Sequence, residues 1–112
     1  MVLLRCATLP DSYDNREYSS AEFEDYEREP LAATGADYAA YWYATGSYCG
    51  AGHIIARKVS RWYHHDCGHC SCYGPTEGID FSGPGFASVE ELLDNCSEDL
   101  RDQLRPLVEV LP

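Results

Sequence analysis

Cations are scarce in this chain. Eight Lys and Arg stand against 19 Asp and Glu in 112 residues, a formal net charge of -11, with a pI of about 4.5. Neutralising a nucleic-acid backbone takes clustered Lys and Arg, so the deficit argues against direct nucleic-acid binding. It argues equally against adhesion to an anionic membrane. Long apolar runs are missing too. No window approaches the roughly 18 residues of a membrane span, and Arg5 interrupts the apolar start Met1-Val2-Leu3-Leu4 before a secretory leader could form. A cytoplasmic chain is expected, and in that compartment thiols stay reduced. The sequence also lacks a nucleophile elbow, a Gly-rich phosphate loop, a His-Glu-x-x-His helix and a deaminase signature, so no enzymatic reaction is signalled.

What is present is enough for a fold. A hydrophobic fraction of 45%, with 12% aromatics, is too rich for a disordered acidic tail, and the length suits one domain over residues 1–112. Charge is unevenly placed along it. Residues 1–48 carry nine acids and three bases, and residues 76–112 nine acids and two bases. The centre, 49–75, holds all four histidines, three bases and Asp66 alone among acids. Two acidic flanks enclose a slightly basic, Cys/His-rich middle.

The pattern of elements reads as α+β: a small antiparallel sheet of about three strands, packed by a C-terminal amphipathic helix, with a short acidic N-terminal helix. The acidic segment spans residues 11–30. Ser19-x-x-Glu22 is a capping box, Glu24 and Arg28 pair at i,i+4, and Pro30 is expected to end the helix. The β-rich centre spans 38–73. Tyr38–Ala44 fits a strand by its aromatics or a helix by its alanines, and the Thr45-Gly46-Ser47 turn favours strand. Gly50-Ala51-Gly52 reads as a break, and Ile54–Trp62 and Trp62–Cys72 then read as a strand pair or one long bent strand. Turn residues dominate from Tyr73 to Gly85. Residues 88–105 then form one amphipathic helix, opened by the box Ser88-Val89-Glu90-Glu91. Val89, Leu92, Leu93, Cys96, Leu100 and Leu104 lie on its apolar face, and Pro106 stops it.

His64-His65-Asp66-Cys67-Gly68-His69-Cys70-Ser71-Cys72 gathers three cysteines and three histidines in nine positions. Cys67-x2-Cys70 lets two thiolates converge on one ion, and Cys70 and Cys72 share a face if the chain is extended. Zinc needs four such donors. The candidate ligands are Cys49, Cys67, Cys70 and Cys72, with His65 or His53 as an alternative fourth. The competing reading packs these thiols and imidazoles into an aromatic-rich sheet without metal, and a disulfide framework is a third. Cys6 and Cys96, remote in sequence, read as packed thiols. A catalytic Cys beside His65 or His69 has the residue types, but neighbours on a strand point to opposite faces.

The stretch Cys70-Ser71-Cys72-Tyr73-Gly74-Pro75-Thr76-Glu77-Gly78 resembles a motif of small, uncharacterised bacteriophage-encoded proteins. In these a strand ending in Cys-x-Cys-Tyr-Gly is followed by an acidic loop and a closing helix. The likeness is close over these nine positions and loose over residues 41–95. It implies a phage setting, hence the cytoplasm of a bacterial host, and no catalytic activity. Cys67-Gly68-His69 and the acidic 11–29 segment fall outside it.

The residues themselves point to a non-enzymatic interaction protein. Carboxylate-rich helix faces can offer spaced negative charge to a basic groove, as a mimic of nucleic acid would. Nine tyrosines exceed what so small a core absorbs, and exposed tyrosine is a preferred interface anchor. The expected partner is a host nucleic-acid-handling or defence protein with a basic groove. Inhibitors such as anti-CRISPR proteins are the analogy by class. The candidate contact residues are Asp14, Glu17, Tyr18, Glu22, Asp25, Tyr26 and Glu29. The alternatives are a structural zinc-binding module within a phage assembly and a thiol- or metal-dependent enzyme. Oligomeric state is not readable from the sequence.

Overall fold

The computed structural model describes residues 2–6, 17–18, 28–46, 49–67, 69–70, 81 and 83–111, with backbone alone at 17–18, 45–46, 49–51 and 69–70. Its strands are β1 (Val2–Arg5), β2 (Glu17–Tyr18), β3 (Tyr38–Gly46), β4 (Cys49–Lys58), β5 (Arg61–Asp66) and β6 (His69–Cys70). The helices are α1 (residues 28–33), α2 (Val89–Asp94) and α3 (Glu98–Val110). The class is α+β. One mixed sheet runs β1-β3-β4-β5, with β2 beside the far half of β3 and β6 beside the near end of β4.

β3 explains why the sheet forms. Ala39, Ala40, Tyr41, Trp42, Tyr43 and Ala44 are all buried, so this strand is covered on both faces. Alternation sends Ala39, Tyr41 and Tyr43 to one side, where they pack with Ile54, Ala56, Cys67, Phe81 and Leu31 of α1. Ala40, Trp42 and Ala44 go to the other, with Ile55, Cys6, Leu92 of α2, and Leu104 and Leu107 of α3. Aromatic and β-branched side chains suit the pleated surface, and the alanines let the flanking layers approach closely. The sheet is thus sandwiched between α1 on one face and α2–α3 on the other. No helix among the described residues is long and apolar enough to cross a membrane.

Several local expectations are corrected. β1 is a strand that periodicity did not signal. It pairs parallel to β3, Val2↔Tyr38 to Arg5↔Tyr41, with α1 in the connection, as a parallel pair requires a crossover. Pro30 does not end α1, which continues to residue 33. The fully buried Leu31 holds that turn against the core, and Gly35 at φ +88 closes it beyond Thr34, whose hydroxyl donates to the Leu31 carbonyl. The Gly50-Ala51-Gly52 stretch is not a break but the start of β4. A Cβ at Gly52 would collide with the Trp42 carbonyl oxygen, so the glycine permits a close approach of the two central strands. The hairpin turns at Val59-Ser60, between the paired Lys58 and Arg61, with positive φ at both residues.

The C-terminal helix is two helices. Ser88 caps α2, its Oγ accepting from Glu91 N–H at 3.1 Å, while Glu91 reaches back to Ala87 N–H. The chain breaks at residues 95–97, and Ser97 caps α3 by accepting from Leu100 N–H at 3.3 Å. Pro106 lies inside α3, which runs on to Val110. The anchoring Leu104 and Leu107 on either side of the proline outweigh the one backbone bond it removes. On the outer edge of β5, Trp62 and Phe86 exchange backbone hydrogen bonds at 2.9 Å. Tyr63 donates to Gly83 O and Arg61 to Pro84 O, so residues 83–86 protect that edge.

Candidate functional site

The Cys/His centre lies where β5 gives way to β6. The register sets Cys49 directly opposite Cys70, so the backbone brings two of the candidate ligands together. Cys67 directly follows β5 and is fully buried, its N–H donating to Gly52 O at 2.9 Å. It packs with Ile54 on the α1 face. His65 is the cross-strand partner of Ile54 and belongs to the same face. Cys72 and the side chains of Cys49 and Cys70 lie outside the described set. Among the described residues no group of three or more His, Cys, Asp or Glu side chains is placed to hold a metal ion.

His53, the other alternative ligand, is turned to the opposite face. Its ring meets Trp42 edge-on at 5.4 Å between centroids. Its Nε2 lies 2.8 Å from Gln103 Oε1 of α3, and its Nδ1 lies 2.9 Å from His64 Nε2. The sheet separates it from Cys67. With Gln103 Oε1 as acceptor, His53 carries its proton on Nε2, and its Nδ1 accepts from His64 Nε2–H. Trp42 Nε1–H donates to the Gln103 backbone carbonyl at 2.8 Å, so one residue of α3 engages both rings. Burial pushes the His64 imidazole down to about 4, with His53 adding to the fall and Asp66 opposing it. Burial also lowers His53, against the pull of Gln103 and Asp66. The pair is therefore neutral, and both nitrogens of His53 are engaged. It joins α3 to the sheet and leaves His53 no lone pair for general-base chemistry. His64 and Gln103 were missed from sequence. Their signal is the alternation of Trp62 and His64 against Tyr63 and His65, with Gln103 at i+3 from Leu100 on the inner face of α3.

The two remote thiols are packed, as expected. Cys6 is 1% exposed, and burial, then Glu109, push its thiol up to about 12. Cys96 is half-buried against the leucines of α2 and α3, and burial raises it against the pull of Arg101. A thiol held protonated is a poor nucleophile and a poor ligand.

The second candidate region is the outer surface of α2–α3. Its acids, Glu90, Glu91, Asp94, Glu98, Asp99, Asp102 and Glu109, are all exposed. The two arginines neutralise little of this. Arg101 turns inward onto the carbonyl oxygens of Leu93 and Cys96, and Arg105 pairs with Asp102 at 3.1 Å. On α3 alone, Glu98, Asp102 and Glu109 follow at i, i+4 and i+11 and form one stripe. The break at 95–97 ends the single stripe that a continuous helix would have drawn through Glu90 and Asp94. Of the N-terminal contact candidates, Glu29 is exposed on α1. Glu17 and Tyr18 have backbone positions in β2, opposite Thr45 and Ala44. Asp14, Glu22, Asp25 and Tyr26, with the capping box at Ser19, lie outside the described residues. No family model matches this chain, and neither does any curated protein or solved structure.

Proposed function

We propose that this chain is an acidic, non-enzymatic interaction protein that docks onto the basic groove of a nucleic-acid-handling or defence protein. The observation that carries the reading is the carboxylate surface of α2–α3, where seven exposed acids stand against Arg101 and Arg105. Such a surface accelerates encounter and fixes orientation with a basic partner, more than it adds affinity. Glu29 offers a carboxylate on the other helical layer. Asp14, Glu17, Tyr18, Glu22, Asp25 and Tyr26 are the proposed extension of that contact. The resemblance at Cys70–Gly78 supports a phage protein acting in the bacterial cytoplasm, in the manner of an inhibitor of host defence.

Affinity capture from bacterial lysate tests the reading. Wild type is expected to retain basic, nucleic-acid-handling proteins, to lose them as salt rises, and to be displaced by duplex DNA. A variant with Glu22→Gln, Asp25→Asn and Glu29→Gln, and another with Glu98→Gln and Asp102→Asn, should fold and bind more slowly. Capture that ignores salt, DNA and both variants would sink the proposal. A structural zinc-binding module is the second reading, and the register of Cys49 against Cys70 favours it.

A further inference from the structure

The end of the sheet at the β4–β5 turn is basic, opposite in character to the acidic surface of α2–α3. Arg57, Lys58 and Arg61 are three of the eight cations in the chain, and all lie there. Their hydrogen bonds go largely to neutral acceptors. Lys58 donates to Phe81 O and Arg61 to Pro84 O and Gly85 O. Arg57 lies 4.6 Å over the Tyr38 ring, and Asp37, at 3.8 Å, is the carboxylate beside it.

The same end holds the exposed apolar surface. Among the described residues two large aliphatic side chains are exposed, Val59 at 79% and Val2 at 47%. Val59 is at the turn itself. Val2 stands in the row Val2↔Tyr38↔Arg57 that crosses the sheet at this end. The turn is also built against local preference. Positive φ at both central residues is the geometry that Asn-Gly adopts readily, yet the positions hold Val59 at φ 52 and Ser60 at φ 63. A β-branched residue there is strained, and here it is solvent-facing as well. At 79% exposure that side chain buries little apolar surface in the monomer. Strain and apolar exposure concentrated among cations mark a contact surface.

We infer that this basic, valine-tipped end docks on the carboxylate surface of α2–α3 of a second copy of the chain, in a head-to-tail contact. Charge complementarity selects that occupant. The exposed acids of α2–α3 are set out on the surface, with Glu98, Asp102 and Glu109 in line on α3, and the basic end offers cations spaced around an apolar anchor. The two surfaces differ, so the contact is heterologous and generates a ring or an open chain of copies. The inference shares one surface with the proposed function but needs no foreign partner, so each can fail without the other.

Sedimentation velocity on the full chain, over about a hundredfold range of concentration at low salt, tests it. Wild type is expected to associate, and added salt to reverse the association. Val59→Asn with Ser60→Gly supplies the preferred turn. It should melt no lower than wild type while associating roughly tenfold more weakly, as loss of an interface anchor does. Glu98→Gln with Asp102→Asn should associate weakly for the complementary reason. The decisive step is mixing the two variants. Each retains the surface the other has lost, so the mixture should form a one-to-one complex that neither forms alone. A wild type that stays monomeric throughout overturns the inference. So does association that survives salt, or a mixture that does not complement.

Discussion

At His64, burial and the neighbouring His53 ring both oppose a positive charge, and the imidazole titrates at about 4 against an ordinary value of 6.5. The consequence for stability has a definite sign. Between 6.5 and about 4 the unfolded chain binds a proton that the folded chain refuses, so stability falls as pH falls through that window. The contribution is fully present above 6.5. His53 is lowered too and acts in the same direction. Replacing His64→Gln keeps an N–H that can reach His53 Nδ1 but removes the titration. The urea midpoint of this variant should fall less steeply than that of wild type between pH 6.5 and 4. Equal slopes would show that other groups carry the acid sensitivity. Gly52 is a second case in which one residue type decides the structure. In the sequence Gly50-Ala51-Gly52 resembles a turn, because a glycine that admits a neighbouring backbone looks the same as one that breaks a strand. What separates them is the Trp42 carbonyl at the missing Cβ, which only the sheet register supplies.

The elements show where local signals suffice and where they do not. Ser88-x-x-Glu91 was legible as a helix start and is one. The run from Val89 to Leu104 reads as one helix because its apolar spacing continues through Cys96, but its polar residues end it. Asn95 Nδ2 donates to Glu91 O, Asn95 N–H to Leu92 O, and Cys96 N–H to Leu93 O, where Arg101 also donates. The carbonyls that a helix end leaves open are thus taken, and Ser97 is free to cap α3. The run Ser97-Glu98-Asp99, a cap followed by acids in the first turn, is the local signal that marks the break. Neither proline stops its helix. Pro106 removes the N–H that Asp102 O would have accepted, but Asp102 is exposed and its carbonyl can turn to water. The cap at Ser97 is testable on its own. Ser97→Ala should lower stability by about 1 kcal/mol in denaturant unfolding, and Ser97→Asp should restore most of it. If alanine costs nothing, packing of Leu104 and Leu107 alone places α3.

Across the whole molecule, the layers were legible and the connections between them were not. Aromatic alternation gave β3, and the leucine spacing gave the helical layer, because both follow from local periodicity meeting one buried face. The parallel β1 and the His53–His64–Gln103 link depend on which strand lies beside which, and no local pattern encodes that. The cysteine centre stands between these cases. Its composition singles out candidate ligands, and the register adds that Cys49 on β4 faces Cys70 on β6, while Cys67 directly follows β5. His53 is committed to the far face, which leaves the thiols and His65 to complete a tetrahedral set. If Cys49, Cys67, Cys70 and Cys72 hold zinc, protein purified without chelator should contain about one equivalent, and chelation should lower its melting temperature, because metal binding in so small a site is coupled to folding. Cys49→Ser and Cys70→Ser should each abolish the bound metal. Cys96→Ala, at a packed thiol on the opposite side of the sheet, should leave metal content intact and cost only about 1–2 kcal/mol of packing. Metal-free protein whose melting is unmoved by zinc would assign these thiols to the apolar core that already encloses Cys67. The acidic surfaces would then have to carry the function alone.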